Sequence, residues 1–271
     1  MSTRLTAIIF FLFCFTSCGN ENDNEEEVPG VAPVPSIYYG LSNTYPHDTT
    51  SFTEGLVIHK GKLYESTGSP DDMPQTRSLI GELDLTNGKI NKKIELDRRK
   101  YFGEGIVFLN DKLYQLTYQN KLGFVYDAIT FKKLGEFVFP VKEGWGMTTD
   151  GTLLIISDGT NILTCLDPAN FQTVKTINVT DPNGAVSKLN ELEYINGFIY
   201  ANVYTTSYVI KIDPGTGNVI GKIDLSSLVN EAKAKYPGSL ELNGIAYDPL
   251  KGTAYVTGKM WPHIYEISFK F

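Results

Sequence analysis

Short apolar runs alternate with turn residues along most of the chain, and their order repeats. Each repeat opens with a polar or aromatic residue and an apolar strand, as in Glu54-Gly55-Leu56-Val57-Ile58. An apolar run with an Asp turn follows in the first four repeats, as in Leu83-Asp84-Leu85-Thr86-Asn87-Gly88-Lys89. Asn-Gly and Asp-Pro-Gly pieces between apolar runs indicate hairpins. The opening residues stand at positions 54, 104, 145, 190 and 243, a period of about 47 residues that is typical of propeller blades.

This pattern predicts an all-β domain over residues 36–271, a five-bladed β-propeller with four-stranded antiparallel blades. The fifth repeat has only three strands and ends with Ile264–Phe269. We expect the strand Ile37–Leu41 to join this last blade and close the ring, because pairing the two chain ends hides the open strand edges. One short helix is predicted at Ser226–Lys235, in the loop between the fourth and fifth blades.

The first residues have the pattern of an export signal. Arg4 precedes the apolar run Leu5–Phe15, which is shorter than the roughly 20 residues that span a bilayer. Small residues then lead to Cys18, as in a bacterial lipobox. We predict a lipoprotein signal peptide over 1–17, a lipid anchor at Cys18 and a place in the bacterial cell envelope, periplasmic or on the outer surface. An ordinary signal peptide cut nearby is the alternative. The acidic, proline-bearing residues 18–35 are predicted to be a flexible tether.

Composition and charge narrow the class of protein. Of the 271 residues 42% are hydrophobic and 20% charged, which excludes a disordered chain and a multispanning membrane protein. The net charge is -7, and the only basic run that stands out is Arg98-Arg99-Lys100, which we interpret as a solvated loop. This excludes nucleic acid as a main partner. Once the signal is removed and Cys18 acylated, Cys165 is the remaining cysteine, so no disulfide framework is possible. Its apolar neighbours predict a buried structural thiol.

The opening positions of the repeats are also the candidate functional positions. The innermost strand of each propeller blade lines the central channel, so these residues are expected to form a ring around one mouth. Polar side chains between aromatic walls are typical of a ligand site, and burial there is expected to raise the pKa of a carboxyl group. The ring consists of Glu54, Glu104, Trp145, Asn190 and Asn243, and the walls of Phe52, Phe102, Trp145, Tyr204 and Trp261.

Longer motifs stand at corresponding points of successive repeats. They include Phe52-Thr53-Glu54-Gly55-Leu56, Tyr101-Phe102-Gly103-Glu104-Gly105, Glu143-Gly144-Trp145-Gly146, Leu189-Asn190-Glu191-Leu192-Glu193-Tyr194, Leu242-Asn243-Gly244-Ile245-Ala246 and Val256-Thr257-Gly258-Lys259-Met260-Trp261-Pro262. In this order they resemble the glutaminyl-peptide cyclotransferases of the plant and bacterial type. The likeness runs from about Tyr39 to the C-terminus.

The resemblance implies a five-bladed propeller that converts an N-terminal glutamine to pyroglutamate with loss of ammonia. Its partners would be peptides and proteins with N-terminal Gln, and it implies no metal and no other cofactor. Glu104 matches the acidic catalytic position, while Asn190 and Lys259 would donate hydrogen bonds to an oxyanion and Trp145 offers an N–H donor and a stacking face. We assign substrate binding to Phe52, Glu54, Phe102, Trp145, Glu193, Tyr204, Asn243 and Trp261.

Departures from the family pattern keep other functions open. The family usually has Gln at Glu54 and Trp-Gln at Tyr204-Thr205, and the loop Ser69–Thr76 is usually shorter. A catalytically silent surface propeller that binds peptides or glycans is one alternative. The oxygen-rich ring also fits a divalent-metal hydrolase, although the widely spaced His47, His59 and His263 form no zinc pair. We expect a monomer, because no long amphipathic helix requires a partner.

Overall fold

The computed structural model describes residues 32–270 of the chain. The predicted signal peptide, Cys18 and the predicted tether as far as residue 31 lie outside the described residues. The compact unit begins at Pro33, three residues before the predicted start at 36. Val34 packs against the apolar cluster of the third and fourth blades, and the Pro35 carbonyl accepts a hydrogen bond from Lys222 N at 2.9 Å.

Within the described residues, five four-stranded antiparallel sheets, one two-stranded hairpin and one helix make up this unit, which confirms the predicted five-bladed β-propeller. The first strand, β1, covers Tyr39–Pro46. The first blade contains β2 (Phe52–His59), β3 (Lys62–Gly68), β4 (Leu79–Asp84) and β5 (Lys89–Glu95). The second contains β6 (Gly103–Leu109), β7 (Lys112–Thr117), β8 (Leu122–Asp127) and β9 (Lys133–Val138). The third contains β10 (Met147–Thr149), β11 (Leu154–Ile156), β12 (Ile162–Leu166) and β13 (Thr173–Asn178).

A small hairpin, β14 (Thr180–Asp181) and β15 (Gly184–Ala185), leads to the fourth blade. That blade contains β16 (Leu189–Ile195), β17 (Phe198–Val203), β18 (Tyr208–Ile212) and β19 (Val219–Asp224). The helix α1 (Ser226–Lys235) follows, with the predicted bounds. The fifth blade contains β20 (Leu242–Asp248), β21 (Thr253–Gly258), β22 (His263–Phe269) and the first strand, β1.

The fourth strand of the last blade comes from the start of the unit. Strand β1 pairs antiparallel with β22, from Tyr39 opposite Phe269 to Pro46 opposite His263. The predicted strand was Ile37–Leu41, and the observed strand begins two residues later, at Tyr39. Ile37 does not pair with β22 because it is held by the fourth blade instead. Its backbone N–H donates to the Lys222 carbonyl at 2.8 Å.

Apolar clusters between neighbouring blades hold the ring together. Between the fourth and fifth blades, Tyr200 and Val256 pack with Leu228 and Ala232 of α1, so the apolar side of the helix covers the seam. Cys165 lies fully buried in the cluster of the third and fourth blades, as predicted. Burial raises the pKa of its thiol to about 11. No helix within the described residues is long and apolar enough to cross a membrane.

The innermost strands meet closely at the centre. Strand β2 contacts β6, β6 contacts β10, β10 contacts β16, β16 contacts β20, and β20 contacts β2. The Gly105 N–H donates to the Trp145 carbonyl at 2.8 Å, which links the second and third blades. A Cβ on Gly146 would lie 2.2 Å from the backbone carbonyl oxygen of Asn190. The close approach of the third and fourth blades therefore requires glycine at position 146. This crowding brings the ends of the five blades close together around the axis.

Candidate active site

One cavity of about 180 Å³ lies where the innermost strands begin, and every blade contributes to it. In an antiparallel blade, the start of the innermost strand and the end of the second strand lie at the same end of the sheet. The cavity is lined by residues from these two places. They are Phe52, Glu54, Phe102, Glu104, Trp145 and Asn190 at or before innermost strands, and Tyr118, Tyr204 and Lys259 after second strands.

A buried ion pair crosses the cavity from the first blade to the fifth. Lys259 Nζ lies 2.6 Å from Glu54 Oε1, and the two side chains are 7% and 2% exposed. The other carboxylate oxygen, Glu54 Oε2, accepts a hydrogen bond from Asn243 Nδ2 at 3.1 Å. The ammonium group also lies 4.5 Å from the ring centroid of Phe52 and 5.4 Å from that of Tyr204. The lysine charge is therefore held in place by a carboxylate and two aromatic rings.

Burial sets the protonation of the two carboxyl groups. Burial raises the pKa of Glu54 to about 7, against the opposing effect of the Lys259 ammonium. Burial raises the pKa of Glu104 well above its usual range, and the neighbouring Glu54 raises it further. Burial lowers the pKa of Lys259, but Glu54 and Glu104 together raise it above its ordinary value. The cavity thus combines a charged lysine with two neighbouring carboxyl groups that bind protons more strongly than an exposed glutamate does.

The backbone beneath Glu104 is fixed by buried polar side chains. Ser66 Oγ donates to the Glu104 carbonyl at 2.6 Å, and Gln115 Nε2 donates to Ser66 Oγ at 3.3 Å. The first and second blades are joined at this point. The Glu104 carboxyl itself belongs to the cavity lining, so this support positions a titratable group against the cavity.

Trp145 and Asn190 bring two different surfaces to the cavity. Trp145 Nε1 donates to Glu143 Oε2 at 3.1 Å, and the indole meets the Tyr204 ring edge-on at 5.6 Å between centroids. The predicted indole donor is therefore already engaged, and Trp145 presents its ring. Asn190 Oδ1 is buried and has no hydrogen-bond partner among the described residues, so the Asn190 amide offers an unsatisfied polar group to a ligand.

Comparison with known proteins settles the family. The sequence model of the glutamine cyclotransferase family matches residues 10–269. The chain belongs to the glutamine cyclotransferase family. It is 39% identical over 228 residues to the glutaminyl-peptide cyclotransferase of Arabidopsis thaliana, covering 83% of this chain and 69% of that relative. The crystal structure of Myxococcus xanthus glutaminyl cyclase superposes with a TM-score of 0.79 at 34% identity, covering 88% of this chain and 99% of that one.

Three residues assigned to substrate binding lie outside the cavity lining of this member of the family. Trp261 is fully buried behind Gly258, and its Nε1 donates to the Leu240 carbonyl at 3.1 Å. Glu193 Oε1 accepts the Tyr247 N–H at 2.8 Å, and burial raises the pKa of Glu193 to about 8. Asn243 reaches the site only through its bond to Glu54. All three support neighbouring strands or side chains.

Tyr118 lines the cavity and was not among the predicted residues. Its ring centroid lies 5.9 Å from that of Phe102, which in turn meets Phe52 edge-on at 6.0 Å. Tyr118 follows β7 as Tyr204 follows β17. Aligning the ends of the second strands across the repeats, as well as the starts of the innermost strands, would have found it.

A metal site in a protein needs several His, Cys, Asp or Glu side chains close together. Within residues 32–270, no group of three or more His, Cys, Asp or Glu side chains is arranged to hold a metal ion.

Proposed function

We propose that this chain is a glutaminyl-peptide cyclotransferase that converts the N-terminal glutamine of peptides and proteins to pyroglutamate and releases ammonia. The observation that carries the proposal is the Glu104 carboxyl. It lines a cavity walled by aromatic rings and its pKa is raised by burial, beside the Glu54–Lys259 ion pair. Membership of the glutamine cyclotransferase family supports the same activity.

The reaction requires one proton to move from nucleophile to leaving group. The substrate's neutral α-amine attacks the carbon of its own side-chain amide, so a C–N bond forms and the carbonyl oxygen becomes an oxyanion. Ionised Glu104 takes the proton that the attacking amine loses. The same carboxyl then gives that proton to the amide nitrogen, the C–N bond to this nitrogen breaks, and ammonia leaves. A raised pKa suits the first step, since it makes the ionised Glu104 carboxylate a stronger base, and the protonated carboxyl then has the proton that the leaving nitrogen needs.

The oxyanion needs donors that are in place before the reaction. The Lys259 ammonium is fixed by Glu54, Phe52 and Tyr204. Asn190 lines the same cavity from the fourth blade, where its Nδ2 would be the donor to the oxyanion and its unpartnered Oδ1 accepts only. Donors held in a desolvated cavity stabilise developing charge without reorganisation. The aromatic walls enclose the methylene groups of the glutamine side chain and keep bulk water from the reacting atoms.

Ammonia release from a Gln-initiated dipeptide tests the proposal. The parent protein is expected to release ammonia, and Glu104→Gln to lose about a hundredfold or more of the activity, because the variant keeps the shape of the side chain but transfers no proton. Glu266→Gln is the matched control, since Glu266 is buried in the outer part of the fifth blade, where it accepts bonds from Asn43, Tyr45 and Thr253.

The same assay separates the alternatives. Binding of Gln-initiated peptides without ammonia release from the folded parent would point to a catalytically silent propeller. Activity that a chelator abolishes and a divalent cation restores would point to a metal hydrolase. Activity that survives chelation and is lost in Glu104→Gln supports the cyclotransferase.

We also propose that the protein is exported and anchored by lipid at Cys18, which is supported by Arg4, the apolar run and the small residues before the cysteine. In a bacterial host fed a labelled fatty acid, Cys18→Ser is expected to lose the label. Cys14→Ser is expected to keep it, since Cys14 leaves with the predicted signal peptide. A labelled Cys18→Ser protein would contradict the anchor.

A further inference from the structure

A second groove opens directly beside the cavity and shares two walls with it. The groove has a volume of about 320 Å³, and Phe102 and Tyr118 line both it and the cavity. Its other lining comes from the loop after β3, the segment before β6 and the segment after β7. A chain that leaves the cavity across these two rings enters the groove.

The groove has a preformed wall. The Arg98 guanidinium donates to the carbonyls of Pro70 at 2.8 Å, Pro74 at 3.1 Å and Thr76 at 3.3 Å. Within the loop, Ser69 Oγ donates to the Thr76 carbonyl at 3.0 Å. One arginine therefore fixes both ends of the loop by contacts that use several N–H donors at once.

The backbone on the opposite side of the groove, at Lys100, is also held by a hydrogen bond. Asn120 Nδ2 donates to the Lys100 carbonyl at 3.1 Å, which joins the segment after β7 to the segment before β6. The Lys100 backbone is therefore fixed in the groove. A ligand meets a surface that is already built, which reduces the ordering cost of binding.

The groove is basic on an acidic protein. Arg98, Arg99 and Lys100 line it, and Asp71 is the acidic residue among the lining side chains. The Arg99 side chain is 89% exposed, 3.6 Å from Asp97, and the Lys100 ammonium has no partner among the described residues. The whole chain has a net charge of -7, so the positive charge of this groove is opposite in sign to the charge of the protein as a whole. The run interpreted from sequence as a solvated loop is thus placed beside the cavity mouth.

We infer that this groove, given the proposed function, receives the residues that follow the N-terminal glutamine and favours peptides with acidic side chains at the second to fourth positions. The backbone of the peptide would pass over Phe102 and Tyr118, which line both the cavity and the groove. Arg99 and Lys100 supply the charges that a carboxylate would meet, while Arg98 shapes the wall. Charge complementarity of this kind increases association rate and selectivity more than it increases affinity.

Three tetrapeptides of equal length test the inference: Gln-Glu-Glu-Phe, Gln-Ala-Ala-Phe and Gln-Lys-Lys-Phe. At low ionic strength, kcat/KM of the parent protein is expected to be about three- to tenfold higher for the acidic peptide than for the basic one. The ratio is expected to shrink towards one at high salt, because exposed charges are screened over about 10 Å at 0.1 M.

Charge reversal identifies the side chains. In the double variant Arg99→Glu, Lys100→Glu the preference is expected to invert, so that the basic peptide is the better substrate. The double variant Lys112→Glu, Lys132→Glu changes the net charge equally, and Lys112 stands at the opposite end of β7 from Tyr118. This control is expected to keep the parent's preference.

The possible outcomes distinguish a failure of the groove inference from a failure of the proposed function. Equal kcat/KM for the three peptides, with intact turnover of a Gln-initiated dipeptide, overturns the groove inference and leaves the proposed function standing. A preference that the control variant inverts as fully as Arg99→Glu, Lys100→Glu also overturns it, because the effect then belongs to net charge. No turnover of any Gln-initiated peptide overturns the proposed function and the inference together.

Discussion

The side chain at position 54 sets this cavity apart at the scale of single residues. Glu54 brings a second carboxylate next to Glu104, and its charge contributes to the raised pKa of Glu104. Its pairing with Lys259 at 2.6 Å also keeps the ammonium group in one place. One residue therefore affects both the acid–base group and the electrostatic group of the proposed mechanism.

Replacement of Glu54 by Gln is expected to move the pH dependence of the reaction. Removing a negative charge beside Glu104 lowers the pKa of Glu104, so this group ionises at lower pH. If ionised Glu104 accepts the proton, the acidic limb of the kcat/KM profile shifts to lower pH in Glu54→Gln. A pH–rate profile from pH 5 to 9 measures the shift, with Glu266→Gln as the control. A shift to higher pH would contradict the coupling.

The sequence predicts where a residue stands in its repeat, but not which hydrogen-bond partner its side chain has in the folded protein. Glu54, Glu104, Trp145 and Asn190 line the cavity, as their places in the repeats indicate. The sequence does not show which partner a side chain takes once it is buried. Trp145 gives its N–H to Glu143, and Trp261 gives its own to a backbone carbonyl. Both bonds depend on contacts between separate segments, which spacing alone does not reveal.

The innermost strands are the decisive elements, because they bring five blades to one axis. Strand periodicity and turn residues predict the blades, since these signals are local. The exact start of β1 is not local. It depends on whether Ile37 bonds to the fourth blade or to β22, and the structure places it against Lys222. The helix α1 was predicted with the observed bounds, although its burial pattern is set by the blades it covers.

A methyl group at the crossing of two innermost strands is expected to destabilise the ring. In Gly146→Ala the new Cβ would meet the backbone of Asn190 and Glu191 at 2.2–2.8 Å, and backbone atoms cannot turn away as a flexible side chain can. We expect the free energy of unfolding to fall by about 2 to 4 kcal/mol. Denaturant unfolding measures it.

A glycine on an outer strand provides the control for that measurement. Gly135 lies in β9, and a Cβ there would have no heavy atom within 4 Å. Gly135→Ala is expected to change the free energy of unfolding by less than about 0.5 kcal/mol. Equal effects of the two substitutions would show that crowding at the axis does not limit stability.

At the scale of the whole molecule, β1 is the segment on which the last blade depends. It pairs along β22, and its side chains bond across it, with Asn43 Nδ2 and Tyr45 Oη both donating to Glu266 Oε2. Just after it, His47 is buried, with Nδ1 2.9 Å from the Trp261 carbonyl and Nε2 3.1 Å from Glu65 Oε2. This histidine links the fifth blade to the first.

A chain that begins at Asp48 is expected to lose this support, compared with one that begins at Pro33. Removal of residues 33–47 leaves β22 as an open edge, takes Asn43 and Tyr45 from Glu266 and takes His47 from Glu65, so both stability and solubility should fall. We expect Tm to drop by about 10 °C or more, with self-association visible by light scattering. The drop should deepen with protein concentration where edges pair between molecules.

A peptide of residues 33–47 added in trans distinguishes a missing strand from general damage. If β1 acts by pairing with β22, the peptide is expected to restore Tm and suppress association, whereas a scrambled peptide of the same composition does neither. Restored ammonia release would then follow, because Lys259 lies in the loop between β21 and β22 and pairs with Glu54 of the first blade. An unchanged Tm in the chain that begins at Asp48 would mean that three strands suffice for the fifth blade, and that the cavity does not depend on the strand from the start of the chain.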